Sequence, residues 1–263
     1  MHTTDKQFKN NWAIILGGSS GFGFATVQKL AQHGMNVAVI YRETAVAERT
    51  LKETLNKIAA DNGVTISPYN INALDNAART AFIEQFATDN KGSVKLLLHS
   101  IARGNLKPLT GDDALSIADV QLTTYAMGTS LIDWARDLLA AGAFCSDARI
   151  IGLTSEGEDK YWEGYAAVSI AKASLQSLTK YMAVELAQYG LRTNLIQAGI
   201  TATPSLIRIP GSEKLLEVTA NRNPLGRMTE PTDVANVIYL LCTDEAAWIN
   251  GTVIHVDGGE HCK

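Results

Sequence analysis

The stretch "WAIILGGSSGFGFATVQKLAQHG" does most to limit what this chain can fold into. Residues 12–16 run apolar without polar alternation, as in a strand covered on both faces. Gly17, Gly21 and Gly23 follow as G-x-x-x-G-x-G, and an amphipathic helical pattern over 22–33 begins within that loop. Glycines let a tight turn form and let the backbone approach a pyrophosphate, which then rests on the helix N-terminus. A glycine pattern alone says little; between a strand and a helix it predicts a phosphate-binding loop.

The same alternation continues along the chain. Short runs at 36–40, 64–69, 94–99, 148–153, 192–197 and 252–256 read as further strands, rich in β-branched residues. Helical patterns at 44–61, 74–89, 115–141, 162–189 and 231–242 separate them. Crossovers of this length imply a parallel sheet wound by right-handed βαβ units. The expectation is an α/β, doubly wound, Rossmann-like sheet in one domain over residues 1–263, since no Pro- or Ser-rich linker or repeat divides the chain. Segment 199–226 breaks the rhythm with three of the six prolines and reads as a flap over a substrate, or as a surface loop.

Composition narrows the function classes. The 263 residues are 46% hydrophobic and 19% charged with a net charge of −4, so nothing electrostatic favours nucleic acid. The polar start "MHTTDKQFKNN" lacks a signal peptide's apolar region, and no apolar run of spanning length occurs, so no membrane association is expected. Cys145, Cys242 and Cys262 are far apart and suggest neither disulfides nor a metal site; a reducing, cytoplasmic setting is expected. His2, His33, His99, His255 and His261 show no ligand spacing, so no metal is expected.

The second strand ends "AVIYRE". An acidic residue at this place holds the ribose diol of NAD, whereas Arg42 offers a guanidinium fork suited to a 2′-phosphate. NADP(H) is therefore favoured over NAD(H), the alternative being a solvated Arg42 that opens the next helix.

The glycine loop, the Lys172 helix, "RTNLIQAGITAT" and the ending "INGTVIHVDGG" together resemble the short-chain dehydrogenase/reductase superfamily, from about residue 11 to 259. An ordinary member carries Ser, Tyr and Lys with the tyrosine four residues before the lysine, and "NAG" at the end of the fourth strand. Here "GYAAVSIAK" places Tyr165 seven residues before Lys172, with Val168 in the vacated position, and the fourth strand ends "LLHSIAR". Both departures are similar to the divergent enoyl-acyl-carrier-protein reductases of fatty-acid synthesis.

That resemblance implies roles for particular residues. Lys172 would bind the nicotinamide ribose and Tyr165 the thioester oxygen of the substrate. Gly17, Ser19, Gly21, Phe22 and Gly23 would line the pyrophosphate loop, and Asn70 and Ile71 would meet the adenine. Ser100, Ile101 and Ala102 would flank the cofactor, with Gly199, Thr201 and Thr203 beside the carboxamide and diphosphate. It also implies an acyl thioester substrate, on an acyl carrier protein or on CoA, and a homotetramer packed through 115–141 and 162–189.

Spacing bears on the chemistry. On a helix, seven steps return a side chain to within about 20° of its start but move it roughly 10.5 Å along the axis, against about 6 Å for four. A ketone needs its proton donor one bond from the carbon that takes hydride. An enoyl thioester takes hydride at the β-carbon and gathers charge on an oxygen three bonds away, within reach of the displaced phenol. Tyr165 would hold that oxygen and Lys172 would lower the phenol's pKa.

Ser155 lies 17 residues before Lys172, where ordinary members keep a catalytic serine and enoyl reductases generally have an aromatic. It reads equally as catalytic or as a loop residue, with Tyr161 or Trp162 as substitute aromatics. His99 reads as a strand-end residue satisfied by backbone, Arg103 and Lys107 as solvated charges or guides for an acidic carrier, and Met127, Trp134, Leu138 and Leu139 as core or interface. The leading expectation is an NAD(P)H-dependent enoyl thioester reductase. The alternatives are a carbonyl/alcohol oxidoreductase using Ser155 and Tyr165, and an NADP(H)-binding protein without chemistry.

Overall fold

A computed structural model describes residues 7–209, 211–213 and 221–263. Strands β1 (Trp12–Leu16), β2 (Asn36–Tyr41), β3 (Ile66–Asn70), β4 (Val94–His99), β5 (Phe144–Thr154), β6 (Leu191–Ala198) and β7 (Val253–Val256) form one sheet. Their order is β3-β2-β1-β4-β5-β6-β7, and every neighbouring pair is parallel. The helices are α1 (Gly21–Gln32), α2 (Ala45–Asn62), α3 (Asn76–Asn90), α4 (Ile117–Thr124), α5 (Ser130–Ala140), α6 (Ala166–Glu185), α7 (Pro204–Ile207) and α8 (Pro231–Cys242). The doubly wound sheet expected from the alternation is the observed one.

Both faces of the sheet are dry, which is why the strands lack polar alternation. On one face Ile15, Val39 and Leu98 pack beneath α1 and α8; on the other Ile14, Ile40, Leu97 and Ile150 pack beneath α3, α5 and α6. Trp134, fully buried on the second face, donates its indole N–H to the Ala73 carbonyl at 2.9 Å. Trp134 and Leu138 are therefore core residues.

Register sets where the crevice opens. Leu16 lies beside Ile40 on one side and His99 on the other, so the turns after β1, β2 and β4 emerge together. Strand order reverses between β1 and β4, the switch point at which open α/β sheets bind ligands beyond the strands' carboxyl ends.

Three departures from expectation bear on the site and its surroundings. β5 starts at Phe144, four residues before the apolar run. The helix expected over 115–141 is interrupted by a π turn at Tyr125–Thr129. The helix expected from 162 begins only at Ala166, because Gly164 takes a left-handed φ of +67°. None of the described helices is long and apolar enough to cross a membrane.

Candidate active site

At the switch point lies a cavity of about 590 Å³. Gly17 and Gly21 adopt φ of +86° and +53°, which L side chains resist, and a Cβ on Gly17 would sit 2.4 Å from the Ser100 carbonyl oxygen. Gly23 does not line the cavity; a Cβ there would meet the Gly17 carbonyl at 2.2 Å, so its glycine serves close packing of α1 against the loop. The α1 N-terminus has no side-chain cap from Ser20 and no acidic residue in its first turn. Its free N–H groups and its dipole thus face the cavity without competition, as a dinucleotide pyrophosphate requires.

Most residues expected at the cofactor line this cavity: Ser19, Phe22, Arg42, Ile71, Ser100, Ile101, Ala102, Gly199, Thr201, Thr203 and Lys172. Asn70 does not. Its amide is spent on the Glu43 backbone, accepting from the N–H and donating to the carbonyl at 3.0 Å each, and on the Glu48 carboxylate at 2.9 Å. Asn70 therefore braces the loop after β2, and Asn72 is the cavity-lining asparagine. Glu43 also lines the cavity, next to Arg42 in the chain. Of the segment expected as a flap, 199–209 contributes heavily to the lining; residues 210 and 214–220 lie outside the described residues.

Lys172 is held by backbone. Its buried Nζ donates to the Leu153 carbonyl at 2.7 Å and to the Met127 carbonyl at 3.3 Å. The π turn presents the Met127 carbonyl, and Gly128 lets α6 come close, since a Cβ there would lie 2.7 Å from the Ala171 oxygen. Burial pushes the Lys172 pKa down to about 8, against the opposing pull of the Glu158 carboxylate. Glu158 had no distinguishing signal in the sequence. Burial raises its pKa, Thr154 donates to its Oε2 at 2.9 Å, and its Oε1 is buried without a hydrogen bond among the described residues.

Tyr165 precedes α6 as its N-cap residue rather than lying within it, so angular steps along a helix do not describe its side chain. The ring packs on Trp162, with centroids 5.3 Å apart, and against Gly157, where a Cβ would be 2.5 Å from the ring edge. Its hydroxyl donates to Ser155 Oγ at 3.2 Å. Ser155 Oγ also accepts the Gly157 N–H at 3.3 Å, leaving its own proton for an acceptor in the cavity that it lines. Ser155 therefore belongs to the site with Tyr165. Burial raises the Tyr165 pKa, partly offset by the bond to Ser155 and reinforced by Glu158. The expected lowering by Lys172 is absent: only the bond to Ser155 lowers the Tyr165 pKa.

Other expectations resolve similarly. His99 is engaged by a side chain at one nitrogen: its Nε2 lies 2.9 Å from Ser130 Oγ, whose own proton goes to the Ala126 carbonyl at 3.3 Å, while its buried Nδ1 meets no hydrogen-bond partner within 3.5 Å among the described residues. Burial and the Lys172 charge push the His99 pKa to about 3, so it stays neutral. Trp162 lines the cavity while Tyr161 is 89% exposed. Lys107 pairs with Asp113 and Asp119, both at 3.3 Å, whereas Arg103 lines the cavity. Met127 also lines it, and with Leu106, Trp162, Val168 and Ile209 it makes an apolar wall.

The family model described as Enoyl-(Acyl carrier protein) reductase matches residues 17–261. The chain belongs to that family, within the short-chain dehydrogenase/reductase superfamily of oxidoreductases. The enoyl-[acyl-carrier-protein] reductase [NADH] FabI of Aquifex aeolicus is 34% identical over 185 residues, 68% of this chain and 66% of that protein. The crystal structure of the enzyme of that name from the same organism matches with a TM-score of 0.82 at 27% identity, covering 98% of each chain. A probable 2,4-dienoyl-CoA reductase of Bacillus subtilis is 32% identical over 94% of this chain and 95% of its own length. A tropinone reductase homolog of Arabidopsis thaliana is 27% identical over 97% and 95%.

Lys172 gives the site a measurable signature. Its pKa is lowered from 10.5 to about 8 in the folded chain, so between those values the unfolded chain binds more protons. The cost of burying the charge is in force below pH 8 and is relieved as pH rises through the window. Urea unfolding should show wild-type stability rising relative to Lys172→Met by up to about 3 kcal/mol from pH 8 to 10.5; a constant difference would mean that Lys172 titrates normally.

Proposed function

We propose that this oxidoreductase reduces the carbon–carbon double bond of enoyl thioesters. The observation that carries the reading is the position of Val168. It stands four residues before Lys172 and lines the same cavity as Lys172, Tyr165 and Ser155, so the place of the ordinary proton donor is apolar while the hydrogen-bonded Tyr165–Ser155 pair supplies the hydroxyls. An unsaturated thioester fits that division, with hydrocarbon against Val168, Met127 and Leu106 and its oxygen at the hydroxyls. The glycine loop, the α1 N-terminus and Lys172 would hold a nicotinamide dinucleotide, which would supply the hydride for the β-carbon.

As charge gathers on the thioester oxygen, Tyr165 turns its proton from Ser155 Oγ to that oxygen and Ser155 donates its own beside it. The raised pKa of Tyr165 suits this role, because a phenol that stays protonated remains a donor. The resulting enolate then takes its α-carbon proton from the Tyr165 hydroxyl, which recovers a proton from solvent through Ser155. Arg103 and Arg208, exposed at the cavity, supply positive charge for the phosphates of CoA or of a carrier-bound pantetheine. The alternative that a specific observation favours is ketone reduction, since the 3.2 Å Tyr165–Ser155 contact would also serve one carbonyl oxygen.

Crotonyl-CoA and acetoacetyl-CoA separate the two readings. Crotonyl-CoA should be turned over faster, and Tyr165→Phe should lower its kcat about 100-fold without changing the dissociation constant of the dinucleotide. Preference for acetoacetyl-CoA, or unchanged turnover in Tyr165→Phe, overturns the proposal. On the cofactor, we take the 2′-phosphate to be read by Arg42, whose guanidinium makes no hydrogen bond or ion pair among the described residues. Arg42→Ala should raise KM for NADPH about tenfold and leave KM for NADH unchanged; wild-type preference for NADH would transfer selection to Glu43.

We also propose a homotetramer. Ile117 and Leu122 on α4 and Ile170, Tyr181 and Val184 on α6 are exposed apolar residues on two helices that pack together. Light scattering on the eluting protein should give four times the 28.3 kDa chain mass, and a monomer would refute the assembly.

A further inference from the structure

Outside the machinery described so far, the segment after β6 and β7 gathers chemistry that the sequence spacing did not suggest. His255 on β7, Asp257 just beyond it, and His261 bring one donor atom each within 4.8 Å of one another. The two imidazoles stack, with centroids 3.9 Å apart and planes at 21°. Cys262 follows, its Sγ 3.4 Å from His261 Nε2.

The donors differ in how they are engaged. Asp257 is buried, and its carboxylate is fixed by the N–H groups of Gly259 at 2.9 Å and His261 at 3.0 Å. Its Oδ2 also meets His261 Nδ1 at 2.5 Å. A proton on Nδ1 satisfies that contact and turns the Nε2 lone pair outward, toward Cys262. A carboxylate behind a histidine in this way is the arrangement that orients imidazole for a metal. Nitrogen and sulfur ligands of tetrahedral zinc, at roughly 2.0 and 2.3 Å from the ion, stand about 3.5 Å apart. The Sγ–Nε2 separation is close to that spacing before any ion is bound. His255 is exposed and makes no hydrogen bond among the described residues, so its ring is free to turn a nitrogen toward the same point.

We propose that His255, His261 and Cys262 form a binding site for a borderline divalent cation such as Zn²⁺, with Asp257 as the positioning residue behind His261 and water completing the coordination. On binding, Cys262 loses its thiol proton to solvent and ligates as thiolate. The remaining cysteines do not compete, for Cys242 is buried and Cys145 half-buried on the opposite end of the sheet, at the start of β5 and the end of α8. Asp257 and His261 also line the cavity, and Glu260 between them accepts the Ile200 N–H at 3.2 Å. An ion here would brace that cavity wall. The site stands independently of which reaction the cavity performs.

The test uses the full chain without an affinity tag, stripped with chelator and titrated with Zn²⁺ by calorimetry and with Co²⁺ by absorption. One equivalent should bind per chain, and the Co²⁺ form should show a thiolate-to-metal charge-transfer band. Cys262→Ser should abolish that band, and His255→Gln and His261→Gln should each weaken Zn²⁺ binding at least about tenfold. Thermal unfolding in chelator should be the same for the wild type, His255→Gln and Cys262→Ser, since those two side chains are exposed and hold no buried partner. Failure to bind a stoichiometric ion, or binding that all three substitutions leave intact, overturns the site.

Discussion

The structure turns on a single buried cation. Lys172 offers its ammonium to two backbone carbonyls, one at the end of β5 and one in the π turn before α5. Burying such a charge is costly unless it is hydrogen-bonded, so the carbonyls, the turn and the helix carrying the lysine constrain one another. An uninterrupted α-helix would turn the Met127 carbonyl into its own hydrogen-bond ladder. Gly128 is the second condition, because any side chain there would hold α6 away. Neutral His99 sits close enough to feel the same charge.

Around this anchor the polar groups divide into two stations separated by apolar surface. One is Lys172 with the glycine loop, built for a dinucleotide. The other is the Tyr165–Ser155 pair, built to donate to an oxygen. Val168 falls between Tyr165 and Lys172 in the chain and lines the same cavity, and Trp162 and Gly157 hold the tyrosine ring in place. The distance between stations follows from where α6 begins: the left-handed Gly164 ends the preceding turn, and Tyr165 becomes a cap instead of an interior helix residue.

Much of this was legible from local pattern. Strands β1 and β4 matched their apolar runs residue for residue, as did α8, because burial on both faces or one leaves a periodic trace. Gly17 and Gly21 were recognisable because their positive φ excludes other residues. Local pattern does not show what a side chain or a close approach is engaged with. Asn70, expected at the adenine, bonds to Glu43 and Glu48, and Gly23, expected in the pyrophosphate loop, packs on Gly17. Glu43, Glu158 and Asn72 carried no periodic or spacing signal that would have raised them above other polar residues.

By itself, the sequence determined the parallel sheet, its crossovers and the phosphate turn, since each depends on neighbours a few residues apart. It also placed tyrosine, serine and lysine in one region without deciding how they relate. Tertiary structure decided that Ser155 is hydrogen-bonded to Tyr165 across ten residues, that Lys172 is held by Met127 and Leu153, and that His255, Asp257 and His261 converge with Cys262 beside His261. These relations depend on where α6, the π turn and the end of β7 come to rest. That placement is set by packing of the whole sheet, and no local spacing encodes it.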